Sequence, residues 1–251
     1  MEGVLMEFHV VIPVNANLLS AEAADGSNVE LTKQLKTDLQ KAYKKSIECG
    51  AESVVIATSI DEIAEYADSL DAEVCMTSGD NATCIEQMSE VVEAMEFEDS
   101  DTVVMFQPEV SSVSTSLIRE VVEDLLEHDH VRVSSVCSVI SDESEFNDLK
   151  TIKVVLNKRN QAVYFSRAPL PHVNGSFESV VNEGRLYAHL GLYAFRAKFL
   201  ADYIAWEECP LERLESIEQL RMIWNGVRIH MRVSTKASSS RAPRKKTVEK
   251  A

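Results

Sequence analysis

Arginine is missing from the first 118 residues of this chain, where 23 acidic side chains stand against five lysines. Residues 119–233 are closer to balance, with 17 acids and 14 bases, and the formal net charge of the whole chain is −16. A field this negative repels DNA, RNA and nucleotide phosphates unless a local basic pocket overrides it. The composition therefore argues against a DNA-binding surface on the body of the protein.

Long apolar runs and paired cysteines are also lacking. No stretch of about eighteen apolar residues occurs, so no membrane span is expected. The start of the chain lacks the basic and apolar segments of a signal peptide. Without a C-x-x-C pair, the cysteines predict neither a disulfide framework nor a zinc knuckle, and we expect a cytoplasmic protein with reduced thiols. The five cysteines are Cys49, Cys75, Cys84, Cys137 and Cys209.

Glycine is scarce in the first half of the chain. Residues 1–118 contain four glycines, and no two of them fall in one predicted loop. A backbone cradle for phosphate groups usually needs several glycines close together. The sequence therefore offers no glycine-rich phosphate loop.

Short β-branched runs alternate with amphipathic helical patterns through the first half. Runs at 8–14, 53–58, 73–77 and 102–106 predict four buried strands. Apolar residues that recur every three or four positions predict a helix after each of them. This strict alternation implies right-handed crossovers and a mostly parallel sheet with helices on both faces.

The pattern changes after residue 131, where strands dominate and two of them flank a polar turn typical of a hairpin. A helix introduced by Pro210 is expected to run unbroken to Trp224. The predicted elements are strands at 131–140, 150–157, 162–168, 189–196 and 228–233, and helices at 199–206 and 211–224. We expect a mixed sheet with antiparallel parts in this half.

Several segments of the second half, taken in order, carry a resemblance to a known family. They are residues 153–156, 164–168, 189–193, 210–221 and 229–230, and upstream segments 48–52, 55–58 and 73–77 match in the same order and spacing. The chain resembles 3-deoxy-manno-octulosonate cytidylyltransferase, the CMP-Kdo synthetase of lipopolysaccharide assembly. The resemblance covers roughly residues 8–233.

The resemblance implies a fold, an activity and an assembly. The fold is α/β, a Rossmann-like nucleotidyltransferase domain of the glycosyltransferase-A type over residues 1–233, with a small inserted antiparallel dimerisation lobe at roughly residues 150–200. The activity moves CMP from CTP to the anomeric hydroxyl of Kdo with Mg²⁺ and releases pyrophosphate. The assembly is a homodimer. Residues 234–251 are Ser-, Lys- and Arg-rich and are expected to form a mobile basic tail.

The loop after the first strand departs from the family pattern A-R-Y-x-S-T/S-R-x-P-G-K. Residues 14–26 lack both arginines, the Pro-Gly pair and the lysine, and Asn15 stands at the first arginine position. After the third strand, Ser78 and Gln87 replace two family arginines, and Cys84 replaces a glycine. Because phosphates are held by N–H donors and cations, these changes predict weaker binding of CTP than in the family.

The metal motifs of the family are also altered. The segment Q-G-D-E-P after the fourth strand is shortened to residues 107–110, which read QPEV, and the C-terminal V-D-T-P-E-D-L segment is absent. Neither metal aspartate is present, although Glu109 could substitute for one. We therefore predict no metal site and no cofactor, with Mg²⁺ used only if the nucleotide contacts have been rearranged.

The side chains at the family's sugar-contacting positions suit a sugar acid. A 3-deoxy-ulosonate presents one carboxylate and several hydroxyls, and the planar fork of Arg167 suits the carboxylate. A structural role stays open, since Arg167 could pair with Glu215 and His189 or Tyr193 could belong to the packing. By resemblance, the sugar-binding residues are Gln107, Arg167, His189, Tyr193, Glu218 and Gln219.

Three functions remain open. The sequence favours a relative of CMP-Kdo synthetase that has lost catalysis and acts as a sugar-acid-binding or regulatory partner. The alternative is an active cytidylyltransferase of lipopolysaccharide biosynthesis with rearranged CTP and metal contacts. The third is a protein that touches nucleic acid or anionic lipid through its basic tail.

Two smaller features add candidate chemistry. His128 and His130 have an H-x-H spacing that can bind a metal, but their position between a predicted helix and a predicted strand favours a polar turn. The thiols of Cys84 and Cys137 are candidate nucleophiles, but no partner histidine is identifiable from the sequence.

Overall fold

The computed structural model describes residues 6–15, 33–182 and 185–234. Within these residues it contains nine β-strands, nine α-helices and one 3-10 helix. The strands are β1 His9–Val14, β2 Ser53–Thr58, β3 Glu73–Met76, β4 Thr102–Phe106, β5 Val133–Val139, β6 Lys153–Leu156, β7 Ala162–Ser166, β8 Tyr187–Arg196 and β9 Ile229–Ser234. The α-helices are α1 Lys33–Glu48, α2 Asp61–Asp68, α3 Cys84–Ala94, α4 Thr115–Leu126, α5 Glu143–Asn147, α6 Phe177–Val181, α7 Ala197–Ile204, α8 Pro210–Glu215 and α9 Gln219–Trp224. The 3-10 helix is Pro108–Val110.

All nine strands belong to one mixed sheet, whose main path runs β3-β2-β1-β4-β8-β5-β9. Strands β1 to β4 pair in parallel, β8 is antiparallel to both β4 and β5, and β9 is parallel to β5. The hairpin β6–β7 joins the sheet through β8. The predicted α/β fold, parallel in its first half and partly antiparallel in its second, is confirmed.

Side chains on the two faces of the sheet enter two separate cores. Val10 and Ile12 of β1 pack with Leu39 of α1 on one face. Val11 packs on the other face, in the core that holds Phe199 of α7. Each large apolar side chain that leaves water in this way contributes roughly 1.5 to 3 kcal/mol, which is why the sheet is covered on both sides.

The order of the strands reverses beside β1. The chain passes from β1 to β2 and β3 on one side and then returns to β4 on the other side. The carboxyl ends of β1 and β4 therefore border a crevice of the kind in which α/β sheets bind ligands. Asn15 follows β1 at this edge and Gln107 follows β4.

The helix expected over residues 211–224 is wrong in one respect, because it is broken into α8 and α9. Ser216 lies between them in the left-handed region, with φ 53° and ψ 50°. Arg221 of α9 bonds the carboxylate of Glu212 in α8 through two nitrogens, each at 2.7 Å. On a straight helix these residues would be about 13 Å apart along the axis, so the break is what lets the two side chains meet.

The cysteines and the helices bear on the predicted reduced thiols and on the predicted lack of a membrane span. All five cysteines are buried free thiols, as expected. None of the described helices has the length and apolar character needed to cross a bilayer.

The hairpin β6–β7 and α6 fall within the segment 150–200, whose role as a dimerisation lobe stays a prediction. The predictions for residues 16–26 of the first loop and for the basic tail from residue 235 lie outside the described residues.

Candidate active site

Gln107 directly follows β4 and contacts two neighbouring elements. Its Nε2 donates to Sγ of Cys84 at the start of α3, at 3.1 Å. Its Oε1 lies 3.7 Å from the place that a Cβ on Gly191 of β8 would take. Gly191 has φ +75°, a backbone conformation that residues with a side chain rarely adopt. Glycine at this position therefore lets β8 bend while it runs close to the amide of Gln107.

His189 and Tyr193 lie on either side of that glycine, with ring centroids 5.1 Å apart. Ser135 of β5 contacts both ends of this segment, since its Oγ lies 2.9 Å from Nε2 of His189 and 2.8 Å from the carbonyl oxygen of Leu192. The hydroxyl has one proton, which goes to the carbonyl, so Ser135 accepts from the Nε2–H of His189. Burial lowers the pKa of His189 to about 3. The ring is therefore neutral at physiological pH, and Nδ1 is its acceptor.

The hydroxyl of Tyr193 and Oε1 of Gln219 are buried without a hydrogen-bond partner among the described residues. The side chains of Ser135 and Gln219 are near enough to that hydroxyl to lower its pKa, although neither forms a hydrogen bond of normal geometry with it. Burial, together with the negative charge of Glu218, raises the pKa of Tyr193 well above its ordinary value, so the phenol keeps its proton. Buried polar atoms are nearly always paired, and an orphan of this kind marks a place where a ligand or a water completes the site.

Glu218 immediately precedes α9 and reaches the start of α3. Its Oε2 accepts from the backbone N–H of Ile85 at 3.5 Å. Burial raises the pKa of Glu218 to about 7, and the nearby carboxylates of Glu212 and Glu86 add to the rise, although the bond from Ile85 opposes it. Glu218 can therefore gain or lose a proton near neutral pH.

The two candidate thiol nucleophiles are not activated. Burial raises the pKa of Cys84 far above its ordinary value, and the carboxylates of Glu218 and Glu109 raise it further. Burial raises the pKa of Cys137 to about 12. Nucleophilic cysteines react as thiolates, so this environment argues against the role that the sequence left open for them.

Arg167 lies just after β7 and bonds the segment that precedes Glu218. Its guanidinium donates to the backbone carbonyls of Leu149, Glu215 and Ser216 at 3.4, 3.1 and 3.4 Å. The Glu215 carboxylate accepts from the backbone N–H of Arg167 at 3.1 Å. The ion pair between these two side chains that the sequence left open is thus not formed, and the guanidinium charge has no carboxylate partner among the described residues.

At two positions where the family pattern has arginine, this chain has a neutral amide side chain that forms a hydrogen bond within the crevice. Asn15 donates from Nδ2 to the carbonyl oxygen of Asn81 at 2.9 Å, which ties the end of β1 to the loop after β3. Gln87 donates from Nε2 to the hydroxyl of Thr77 at 2.9 Å. These amides fix the backbone of the crevice but contribute no positive charge to it.

Arg221 is a nearby cation whose charge is already neutralised. Besides its two bonds to Glu212, its Nη1 donates to Oε1 of Glu86 at 3.0 Å, and the guanidinium lies 4.7 Å from the ring centroid of Tyr203. Burial disfavours the charge, but the bonds to Glu212 outweigh it and raise the pKa of Arg221. The carboxylate of Glu86 is thereby used in packing α9 against α3.

The sequence of this chain is similar to those of known cytidylyltransferases. The sequence pattern of the family described as "Cytidylyltransferase" matches residues 37–229. The chain is 40% identical over 232 residues to 3-deoxy-manno-octulosonate cytidylyltransferase of Coxiella burnetii, and the match covers 91% of this chain and 92% of the relative. The chain belongs to the CMP-Kdo synthetase family of cytidylyltransferases. The protein of the same name from Vibrio vulnificus is 34% identical over 237 residues, covering 92% and 91% of the two chains.

A solved structure of this family supports the fold. CMP:2-keto-3-deoxy-manno-octonic acid synthetase complexed with CTP is similar with a TM-score of 0.76 and 24% identity, over 92% of this chain and 90% of that one. The predicted family and Rossmann-like nucleotidyltransferase fold are therefore confirmed. The prediction that catalysis has been lost is not confirmed, and the relatives agree better with the alternative of an active cytidylyltransferase.

The structure brings most of the predicted sugar-binding residues together. Tyr193 interacts with His189, Glu218 and Gln219, and Gln107 connects to Glu218 through Cys84. Arg167 bonds the backbone of Glu215 and Ser216, just before Glu218 in the chain. Sequence reasoning missed Ser135, which faces Tyr193 in the register of β5 and β8. No local signal marks this serine, because its role depends on a pairing with a strand more than fifty residues later.

The carboxylates near Cys84 allow a test of whether this site suits Mg²⁺. Glu109 and Glu218 lie close enough to Cys84 for their charges to raise the pKa of the thiol. Mg²⁺ takes hard oxygen ligands and is often held by one or two carboxylates together with substrate phosphates. Glu109, in the 3-10 helix right after β4, is a donor of this type. The residues present therefore fit a magnesium ion that keeps phosphate ligands.

Proposed function

We propose that this chain transfers CMP from CTP to a 3-deoxy-ulosonate, as a CMP-Kdo-type cytidylyltransferase of lipopolysaccharide biosynthesis. The observation that carries the proposal is the pair of buried orphan atoms, the Tyr193 hydroxyl and Oε1 of Gln219. They lie in the contact network of Gln107 and His189, at positions where the family resemblance expects the sugar. The identity to the relatives named 3-deoxy-manno-octulosonate cytidylyltransferase supports it.

The sugar side of the reaction follows from the chemistry of these groups. Arg167 binds the carboxylate of the sugar acid, since its charge has no carboxylate partner among the described residues. The Tyr193 hydroxyl donates to a sugar oxygen, and the amide of Gln107 and Nδ1 of His189 accept from sugar hydroxyls. Glu218, with its pKa of about 7, accepts the proton that the attacking hydroxyl loses as pyrophosphate leaves.

The nucleotide side of the proposal involves Mg²⁺. When bound, the ion would neutralise phosphate charge, and Glu109 is the residue that would hold it. Homodimerisation through the segment 150–200 and a cytoplasmic location belong to the same proposal. The acidic charge of the body argues against DNA as a partner.

A second candidate function, sugar-acid binding without catalysis, is favoured by a specific observation. Asn15 and Gln87 stand at family arginine positions and are engaged in neutral hydrogen bonds. The nearby cation Arg221 is bonded to the carboxylates of Glu212 and Glu86. Under this hypothesis the chain keeps the Kdo pocket and serves as a binding or regulatory partner.

Pyrophosphate release by the full chain separates the two candidates. We expect release that requires CTP, Kdo and Mg²⁺ together and stops when EDTA removes the metal. Arg167→Lys should raise the KM for Kdo about tenfold, because one point charge replaces a bidentate fork, and should leave the KM for CTP unchanged. The matched control is Arg159→Lys, at an exposed arginine in the β6–β7 turn.

Calorimetry with each substrate completes the test. Kdo binding without CTP binding or turnover would establish the second candidate in place of the first. Binding of neither substrate would contradict both.

A further inference from the structure

A second cluster of chemical groups lies at the opposite edge of the sheet, where β5 and β9 begin. Asp124 is in the last turn of α4, His128 follows that helix, and His230 is the second residue of β9. One potential ligand atom from each of the three lies within 4.8 Å of the others. The rings of His128 and His230 are 4.2 Å apart between centroids and tilted by 32°. The H-x-H spacing pointed to His128 and His130, whereas the fold adds His230 from a distant strand.

Hydrogen bonds select the same tautomer for both rings. Nδ1 of His128 lies 2.8 Å from the backbone carbonyl oxygen of Asp124, which can only accept, so this nitrogen carries the proton. Nδ1 of His230 lies 2.6 Å from Oδ2 of Asp124 and donates to it. In a neutral imidazole the other nitrogen, Nε2, then holds the lone pair. A histidine whose Nδ1–H is bonded to a carboxylate or a carbonyl is the usual arrangement behind a metal ligand.

The surroundings favour a positive charge. Asp124 is 4% exposed. Its Oδ2 accepts hydrogen bonds from the hydroxyl of Ser134 at 2.5 Å and from Nδ1 of His230 at 2.6 Å. It also lies in the last turn of α4, where the helix dipole is negative.

We propose that His128 and His230 bind a divalent transition metal, with Zn²⁺ as the reference ion, through their Nε2 atoms. Asp124 is the positioning residue that orients His230. His130 is exposed, with its ring centroid 6.1 Å from that of His128, and supplies a third imidazole by rotation of its side chain. Three protein nitrogens and one water make a four-coordinate zinc shell. The site shares no residue with the candidate active site.

Calorimetric titration of the untagged full chain with ZnCl₂, after dialysis against a chelator, tests the proposal. We expect one equivalent of Zn²⁺ to bind, with affinity reduced at least tenfold in His128→Gln and in His230→Gln. Asp124→Asn should weaken binding 10- to 100-fold, as loss of an outer-shell partner does in other metal sites. Asp124→Glu, which keeps a carboxylate, should recover part of that loss.

The matched control is His172→Gln, which removes an exposed histidine outside the cluster and should not change the affinity. His128 follows its helix at the surface, so folding of the His128→Gln variant without metal is checked by circular dichroism. Substitution with Co²⁺ reads out the ligands by absorption. The proposal is overturned if the full chain binds no equivalent of Zn²⁺. Unchanged affinity in His128→Gln, or a thiolate charge-transfer band with Co²⁺, would overturn it equally.

Discussion

The Tyr193 hydroxyl illustrates how a single buried atom separates a structural role from a binding role. Tyr193 is fully buried, and its hydroxyl has no hydrogen-bond partner among the described residues. Leaving such a group unpaired destabilises a protein by about 1 to 3 kcal/mol. The side chains of Ser135 and Gln219 face this hydroxyl without forming a hydrogen bond of normal geometry, so we expect a ligand or a water to complete it.

Tyr193→Phe should therefore keep or slightly raise the free energy of unfolding, and should weaken Kdo binding about tenfold because one hydrogen bond is lost. Urea denaturation and calorimetry measure the two effects. Tyr203→Phe is the control, since that hydroxyl donates to the carbonyl oxygen of Glu218 at 3.3 Å and its loss should lower stability by about 1 kcal/mol. A Tyr193→Phe variant that loses stability but binds Kdo normally would contradict the binding role.

The protonation of Glu218 makes the stability of the folded chain depend on pH. Its pKa in the folded chain is about 7, raised by burial from an ordinary 4.5. The folded state thus holds this proton more tightly than the unfolded state does. The resulting contribution to stability is fully present below about pH 4.5 and is lost as the pH rises through about 7.

Glu218→Gln removes this titration while keeping the shape of the side chain. Relative to the unmodified chain, the variant should gain about 1 to 3 kcal/mol of unfolding free energy between pH 5 and pH 8. Urea denaturation at the two pH values measures the difference. Glu207→Gln, at an exposed carboxylate, should leave the pH profile as it is. Parallel profiles for the unmodified chain and Glu218→Gln would show that the proton on Glu218 is not bound tightly.

Among the secondary-structure elements, the β6–β7 hairpin depends on one buried cation. Lys153 in β6 is fully buried, and its Nζ donates to the carbonyl oxygens of Asp148, Thr151 and Arg167. Burial lowers the pKa of Lys153. Because one of the three carbonyls belongs to Arg167, this lysine also fixes the backbone that presents the proposed carboxylate-binding guanidinium.

Lys153→Met should lower the free energy of unfolding by about 2 to 4 kcal/mol, because three carbonyl oxygens lose their shared donor. Lys158→Met, in the exposed hairpin turn, should change it by less than about 0.5 kcal/mol. Urea denaturation compares the two variants. A loss for Lys153→Met as small as that of the control would mean that the carbonyls find water instead.

The sheet as a whole decides which distant residues form a site. Glu218 reaches the backbone of Ile85 across 133 positions of the sequence. The reversal of strand order at β1 places Gln107 and Asn15 at one edge, and the starts of β5 and β9 place Ser134 beside His230 at the other. One sheet therefore carries two separate groups of reactive side chains, and the proposed functions of the two can be tested independently.

Much of the fold was readable from the sequence alone. The strands at 53–58 and 102–106 lie where their β-branched runs predicted, because hydrophobic periodicity is a local property of the chain. The family followed from ordered segments, and the family resemblance in turn suggested the sugar-binding residues, whose role stays a prediction. The break at Ser216, the bond between Arg221 and Glu86, the Ser135 contact with His189 and the approach of His230 to Asp124 had no local signal. Each of these depends on packing between residues far apart in the chain, so only the folded structure shows them.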